Sequence, residues 1–262
     1  TISDGFKLKP SLNNGTYKLE EFPKLPSTFG EAIPIDNDII KLLKICKNTI
    51  SEDTLRPMFC AAYVESEYVY STAVTSVFIK KHGKKFQTQI AIPAKECDLL
   101  SQFINVEYLQ NDNYNIYKSG NTCYGFILNQ GYSGFDFRSY FLNRVSKKDY
   151  FTISKEDIMS FCNSTCKFTK SKILMCEVTK SGNIVKFEWN DRDLGENNTM
   201  EFDCIDKGGE DFSFGFNIND MLNTVSLLPF NKISLSNEQG NFIGVFTSDD
   251  ETYSGVISKV QI

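Results

Sequence analysis

The chain has 262 residues, 41% of them hydrophobic and 23% charged, with 28 basic and 33 acidic side chains and a formal net charge of −5. Such a composition is that of a globular protein with one large domain or two ordinary ones, and no apolar run approaches the ~20 residues of a membrane-spanning helix. The mild acidic excess excludes a simple cationic polymer-binding surface and leaves nucleic-acid binding to be decided by local charge.

Residues 1–18 read as a strand or linker carried over from something upstream, with turn signals at Asp4-Gly5 and Asn13-Asn14-Gly15. The two prolines of Glu20-Glu21-Phe22-Pro23-Lys24-Leu25-Pro26 make it an extended connector. Ala32–Ile35 is a short strand. A helix capped by Asp36-Asn37-Asp38 runs to about Thr49, with Ile39, Leu42, Leu43, Cys46 and Ile50 on its apolar face and Lys41, Lys44 and Asn48 opposite. Aromatic and β-branched content predicts strands at Pro57–Val64, Val69–Thr75 and Val77–Lys81. Lys80-Lys81-His82-Gly83-Lys84-Lys85 reads as a basic turn. A strand at Phe86–Ile92 then enters a helix at Lys95–Ile104 that buries Leu99, Leu100, Phe103 and Ile104. Strands at Val106–Leu109, Tyr114–Lys118 and Cys123–Leu128 complete this half.

Gln130–Asp149 is a second connector, after which the pattern restarts. A strand at Phe151–Ile153 leads into a helix capped by Ser154, with Asp157 in the capping-box position, that buries Ile158, Phe161, Cys162 and Thr165. Strands follow at Ile173–Thr179, Ile184–Trp189 and Thr199–Ile205. The strand Phe212–Phe216 then runs almost directly into a helix capped by Asn217. Ile218, Met221, Leu222, Val225 and Leu228 form its apolar stripe, and Asn219, Asp220, Asn223, Thr224 and Ser226 its polar face. Strands at Lys232–Ser236, Phe242–Thr247 and Tyr253–Val260 end the chain. Helix, three or four strands, helix, three strands therefore occurs twice. Its period of roughly 120 residues is too long for a solenoid repeat and fits two homologous domains.

Residues able to carry catalysis are scarce. His82 is the sole histidine and, in a lysine-rich turn, reads as solvated, so no Ser-His-Asp set can be built without it. Cys162 and Cys166 lie four apart on one helix with no further Cys/His pair to complete a zinc site. Asp249-Asp250-Glu251 reads as an acidic hairpin tip, with cation binding as the alternative. The eight cysteines (Cys46, Cys60, Cys97, Cys123, Cys162, Cys166, Cys176 and Cys204) form no CxxC. They read as reduced core residues of a cytoplasmic protein, with a disulfide framework as the alternative. No catalytic residue, cofactor or metal is expected.

Four passages resemble the bacterial DNA polymerase III beta subunit, the sliding clamp. Glu21-Phe22-Pro23-Lys24-Leu25-Pro26 is similar to the Glu-Phe-Pro-x-Leu-Pro that opens that family's middle domain. Arg56 through Ile79 is similar to its Arg-x-x-Leu-Asn-Gly and Thr-Asp-Gly-His-Arg-Leu strands. Ile92-Pro93-Ala94-Lys95 is similar to its Val-Pro-x-Lys helix entry, and Gly215-Phe216-Asn217 to its last Gly-Phe-Asn helix. The resemblance implies an α+β DNA-clamp fold of two repeated domains, each with two helices packed on antiparallel sheets. Residues 1–18 would be a remnant of an upstream domain, 19–147 the middle domain and 148–262 the C-terminal domain. Two arrangements stay open: a chain lacking the family's first domain, or a two-domain clamp needing three copies to close a ring.

The family is non-catalytic, so the resemblance implies a processivity factor of DNA replication. A ring oligomer would encircle duplex DNA without sequence preference and dock polymerase and clamp-loader peptides, with no membrane partner. Helices line the hole in this family, which points to Lys41, Lys44, Lys47, Lys95, Lys155, Lys167 and Lys170 as DNA-facing; each equally reads as a solvated helix face. The family's peptide cleft maps onto Arg56, Phe59, Thr72, Val74, Val77, Phe135, Tyr140, Val256, Ile257 and Ser258, with a sheet core as the alternative for Phe59, Val74 and Val77. Three cleft segments depart from the family pattern: Thr72-Ala73-Val74-Thr75-Ser76-Val77, Phe135-Asp136-Phe137-Arg138-Ser139-Tyr140 and Ile257-Ser258-Lys259-Val260-Gln261. A clamp-fold interaction protein that does not encircle DNA is the competing expectation.

Overall fold

A computed structural model describes residues 30–73, 75–110, 114–127, 150–169, 174–191, 193–206, 210–238, 242–246 and 253–260. In the first half, strand β1 (Ala32–Ile35) leads into helix α1 (Asn37–Cys46). The hairpin β2 (Ala61–Thr72) and β3 (Ser76–Pro93) follows, then helix α2 (Ala94–Leu100) and a meander β4 (Val106–Gln110), β5 (Tyr114–Ser119) and β6 (Thr122–Ile127). The second half opens with β7 (Tyr150–Ser154) and α3 (Lys155–Phe168). Next come β8 (Met175–Ser181), β9 (Ile184–Asp191), β10 (Glu196–Asp203), the two-residue β11 (Ile205–Asp206) and β12 (Phe212–Asn217). Helix α4 (Ile218–Leu227) leads to the meander β13 (Lys232–Asn237), β14 (Phe242–Phe246) and β15 (Tyr253–Val260).

The strand order makes the repeat physical. A four-stranded sheet runs β1-β4-β5-β6, and the second half repeats it within a larger sheet as β7-β13-β14-β15. In both, the strand before the first helix pairs antiparallel with the strand after the second: Ile33 opposite Tyr108, and Ile233 opposite Ile153. β15 is the junction of the molecule. One of its edges pairs with β14 and the other with β3 of the first half, while its last two residues reach β12.

Side-chain alternation explains the layers. Ala62, Val64, Val69, Phe78, Ile90 and Ile92 project from β2–β3 toward the helices and join one apolar cluster. It includes Leu43 and Cys46 of α1, Phe161 of α3, Met221 and Val225 of α4, and Phe187. The opposite face of β2–β3 carries a second cluster of Ala61, Tyr63, Tyr70, Val77 and Ile79, with Phe59 packed against it. α3 buries Ile158, Phe161, Cys162 and Thr165, the face its sequence period predicts.

Several expectations need correction. The basic Lys80–Lys85 segment is not a free turn but lies within β3. The extra residues are absorbed by register irregularities opposite Val64–Tyr68, where Ser66 has φ 50° and Gly83 φ 80°. His82 is accordingly not a solvated loop residue. Its ring is half-buried and packs edge-on to Phe86 at 5.4 Å, and burial lowers its pKa. α2 ends at Leu100 rather than Ile104, and Ile104 is 68% exposed. Pro57–Phe59 form a 3-10 turn, so β2 begins only at Ala61. The Ser154 hydroxyl does cap α3, but through the Glu156 N–H at 3.1 Å. Asp36 does not cap α1, since its carboxylate pairs with Lys84 instead. The expectations for residues 1–29, the Gln130–Asp149 connector and Asp249–Glu251 lie outside the described residues.

Candidate functional site

Two regions were singled out by sequence: the polar helix faces and the seam where the halves meet. On the helices, Lys44, Lys95 and Lys167 are exposed, and no ion pair engages them among the described residues. Lys41 pairs with Asp38 at 2.9 Å across one helical turn, and Lys47 with Asp98 at 2.6 Å between α1 and α2. These pairs are largely exposed and contribute little stability. Lys170 lies outside the described residues.

Lys155 departs most from its expected role. Its ammonium donates to the carbonyls of Ser226 and Leu228, at 3.2 and 2.5 Å, and so closes the C-terminal end of α4. Unpaired carbonyls at a helix end attract a cation, which accounts for the position. Burial lowers its pKa. Sequence reading could not find this, because the partners lie 71 and 73 residues away.

The helices also carry carboxylates: Asp38, Glu96, Asp98, Glu156, Asp157 and Asp220. With Glu96 buried, the others offset the lysines in large part. Thr224, read as part of the polar face of α4, is fully buried.

At the seam, Val256 lies opposite Val77, Ile257 opposite Ser76, and Thr72 opposite Val77 in the hairpin. The backbone therefore brings four of the expected cleft positions together. Thr72 and Val77 are at most 2% exposed and form the floor of the seam, whereas Ile257, opposite Ser76, turns to the other face of the sheet and joins the cluster under the helices. Phe59 is half-buried on the same cluster as Val77. Arg56 is exposed and held to Asp53 at 3.5 Å, and Ser258 is half-buried. The Tyr63 hydroxyl donates to the Met58 carbonyl at 2.7 Å while its ring stacks on Tyr70, which fixes the turn bearing Phe59. Val74, Phe135 and Tyr140 lie outside the described residues.

Sequence reading missed two seam residues. The carbonyl of Thr75 accepts from the Ser258 N–H at 2.8 Å, and its side chain neighbours the Asp220 carboxylate at the start of α4. Burial raises the pKa of Asp220, and the neighbouring Thr75 side chain partly offsets it. Thr75 was legible only as part of a departure from a pattern.

Nothing among the described residues resembles a nucleophile or metal site. No group of three His, Cys, Asp or Glu is placed to hold a metal, and all eight cysteines are free. Burial pushes the Cys46 and Cys162 thiols up to about 12, which keeps them protonated and unreactive at neutral pH. No helix among the described residues is long and apolar enough to cross a membrane.

No protein-family profile and no curated protein sequence matches the chain. Its fold, however, is shared with solved sliding clamps. The DNA polymerase sliding clamp of Pseudomonas aeruginosa superposes with a TM-score of 0.78 at 14% identity, covering 94% of this chain and 70% of that one. The Bartonella birtlesii sliding clamp, a DNA polymerase III subunit beta solved with griselimycin, gives 0.81 at 14% identity, covering 93% and 70%. The DNA polymerase III subunit beta of Borrelia burgdorferi gives 0.80 at 14% identity, covering 93% and 66%. The chain has the sliding-clamp fold, an α+β arrangement of paired helices on antiparallel sheets, over nearly all of its length.

Proposed function

We propose that this chain is a DNA sliding clamp, a non-catalytic processivity factor whose ring encircles duplex DNA and docks polymerase and clamp-loader peptides in the cytoplasm. The observation that carries the reading is the superposition on sliding clamps over 93–94% of the chain at TM-scores near 0.8. Residues 19–147 and 148–262 act as its two clamp domains. Lys44, Lys95 and Lys167 supply non-specific phosphate attraction, which positions the ring without reading sequence. Lys41 and Lys47 add to it once their exposed ion pairs exchange for phosphate. The rim of the seam, with Phe59, Arg56 and Ser258 over the floor of Thr72 and Val77, receives short partner peptides.

Ring formation has its own support. β6 and β15 occupy the same place in the repeated sheet, yet the outer edge of β15 is covered by β3 while that of β6 is the end of its sheet among the described residues. An uncharged edge strand, Thr122-Cys123-Tyr124-Gly125-Phe126-Ile127, is a surface that invites pairing. Sedimentation at several concentrations tests this. A ring-sized oligomer is expected, and a persistent monomer, even when any preceding region of the gene product is restored, overturns it.

The near-balance of charge on the four helices and the internal use of Lys155 favour a second reading, a clamp-fold interaction module that does not encircle DNA. It predicts peptide binding with no salt-sensitive affinity for duplex DNA.

A further inference from the structure

The third residue of α2 is an acid whose surroundings the clamp reading does not use. Glu96 is 4% exposed. Its Oε2 accepts from the Tyr117 hydroxyl of β5 at 2.6 Å and from the Asn115 amide at 3.2 Å. The Asn115 amide also donates to the Ala91 carbonyl of β3 at 2.9 Å, and the Tyr108 hydroxyl of β4 donates to Asn115 Oδ1 at 2.9 Å. The carboxyl thus ties α2 to β5 directly, and Asn115 carries the network on to β3 and β4.

The titratable groups around it are Tyr117 from β5, Tyr108 from β4, and Cys97 and Asp98 from α2 itself, with Cys46 of α1 facing Cys97. None is a cation. Lys47, from the end of α1, pairs with Asp98 instead. A buried carboxylate with donors but no counter-charge is costly, so burial favours the neutral acid; the Tyr117 and Asn115 bonds oppose that shift only in part. α2 has no side-chain cap at Pro93. Its first turn is therefore held largely by Glu96 and by the Cys97 thiol on the Ile92 carbonyl at 3.4 Å.

We propose that Glu96 is a proton-operated clasp: as the neutral acid it seats the first turn of α2 on β3–β5, and on ionisation it loosens that turn. Its pKa is pushed up by burial from 4.5 to about 7. A carboxyl raised in the folded state contributes stability that is complete below its ordinary value and is lost as pH rises to the folded value. The window is therefore pH 4.5 to about 7, with no further change from this group above it. Over that window the closed clasp loses stability, and residues 94–100 open more often.

The test compares the full chain with Glu96→Gln, which keeps the shape and cannot ionise. Hydrogen exchange, corrected for its intrinsic pH dependence, and thermal unfolding are followed from about pH 5 to about pH 7.5. The expected result is a several-fold rise in exchange across residues 94–100 in the parent only. The melting advantage of Glu96→Gln should widen by several degrees over the same range. Equal pH dependence in both proteins overturns the clasp. If Glu96→Gln fails to fold, carbon NMR of glutamate-labelled parent decides the matter. A Glu96 midpoint near neutrality that moves higher in Tyr117→Phe supports the clasp, and an ordinary carboxyl midpoint contradicts it.

Discussion

The two halves share a strand order but secure their helices differently. In the second half both helices carry side-chain caps: Ser154 serves α3, and Asn217 accepts from the N–H groups of Asn219 and Asp220 at 2.9 and 3.4 Å to start α4. Lys155 then closes the far end of α4. In the first half neither α1 nor α2 has a side-chain cap, because Asp36 is diverted to Lys84 and the Pro93 ring has no hydrogen-bonding atom. The third residue of each second helix is an acid, yet the two act differently. Glu96 turns into its own core, whereas Asp220 lies beside Thr75 of the other half. One fold can thus be held by local capping in one copy and by long-range polar contacts in the other. The first half then depends more on tertiary context.

The largest effect should come from the shared core. Phe187 packs on Phe161, Phe202 and Phe216 and is fully buried. Phe187→Ala should cost about 3–5 kcal/mol in denaturant unfolding. Because one apolar cluster runs through both halves, exchange protection in α1 and α2 should fall as well. Loss confined to residues 150–260 would show that the halves are energetically separate.

Next come the caps. Asn217→Ala and Ser154→Ala should each cost about 1 kcal/mol, while Asp36→Ala, which removes an exposed ion pair and no cap, should cost only a few tenths. Equal losses at Asp36 and Asn217, measured by chemical denaturation, would erase the contrast between the halves.

Lys155→Met should cost roughly 0.3–1 kcal/mol through the lost cation at the end of α4. DNA binding separates it from the exposed lysines. Lys44→Ala, Lys95→Ala and Lys167→Ala should each weaken salt-sensitive retention on duplex DNA about equally for every sequence, lowering the salt slope by about 1. Lys155→Met should leave that slope unchanged. Filter retention over a salt series makes the distinction.

What was legible in the sequence follows the range of the forces involved. The apolar face of α3, the Asn217 cap and the span of β15 depend on neighbours within a turn or a strand, and all three were found. The Lys80–Lys85 segment was misread because a charged run around a glycine looks like a turn. Only its pairing with β2, irregular at Ser66, keeps it extended. Lys155, Thr75 and Glu96 owe their roles to partners at least 19 residues away, and no local pattern marks them. The meeting of the segments around Val77 and Ile257 was legible as a location. Which of its residues form floor and which form rim was not, because burial at Val77 and Ile257 arises where β3 and β15 meet.

The central claim is topological, and linearising the DNA tests it most directly. The protein is bound to nicked circular duplex in the presence of a replication-competent lysate and ATP, isolated by gel filtration, and the circle is then cut once. A clamp stays with the circle at high salt and slides off after the cut. Equal retention before and after cutting, or no retention on the circle at all, would contradict encirclement.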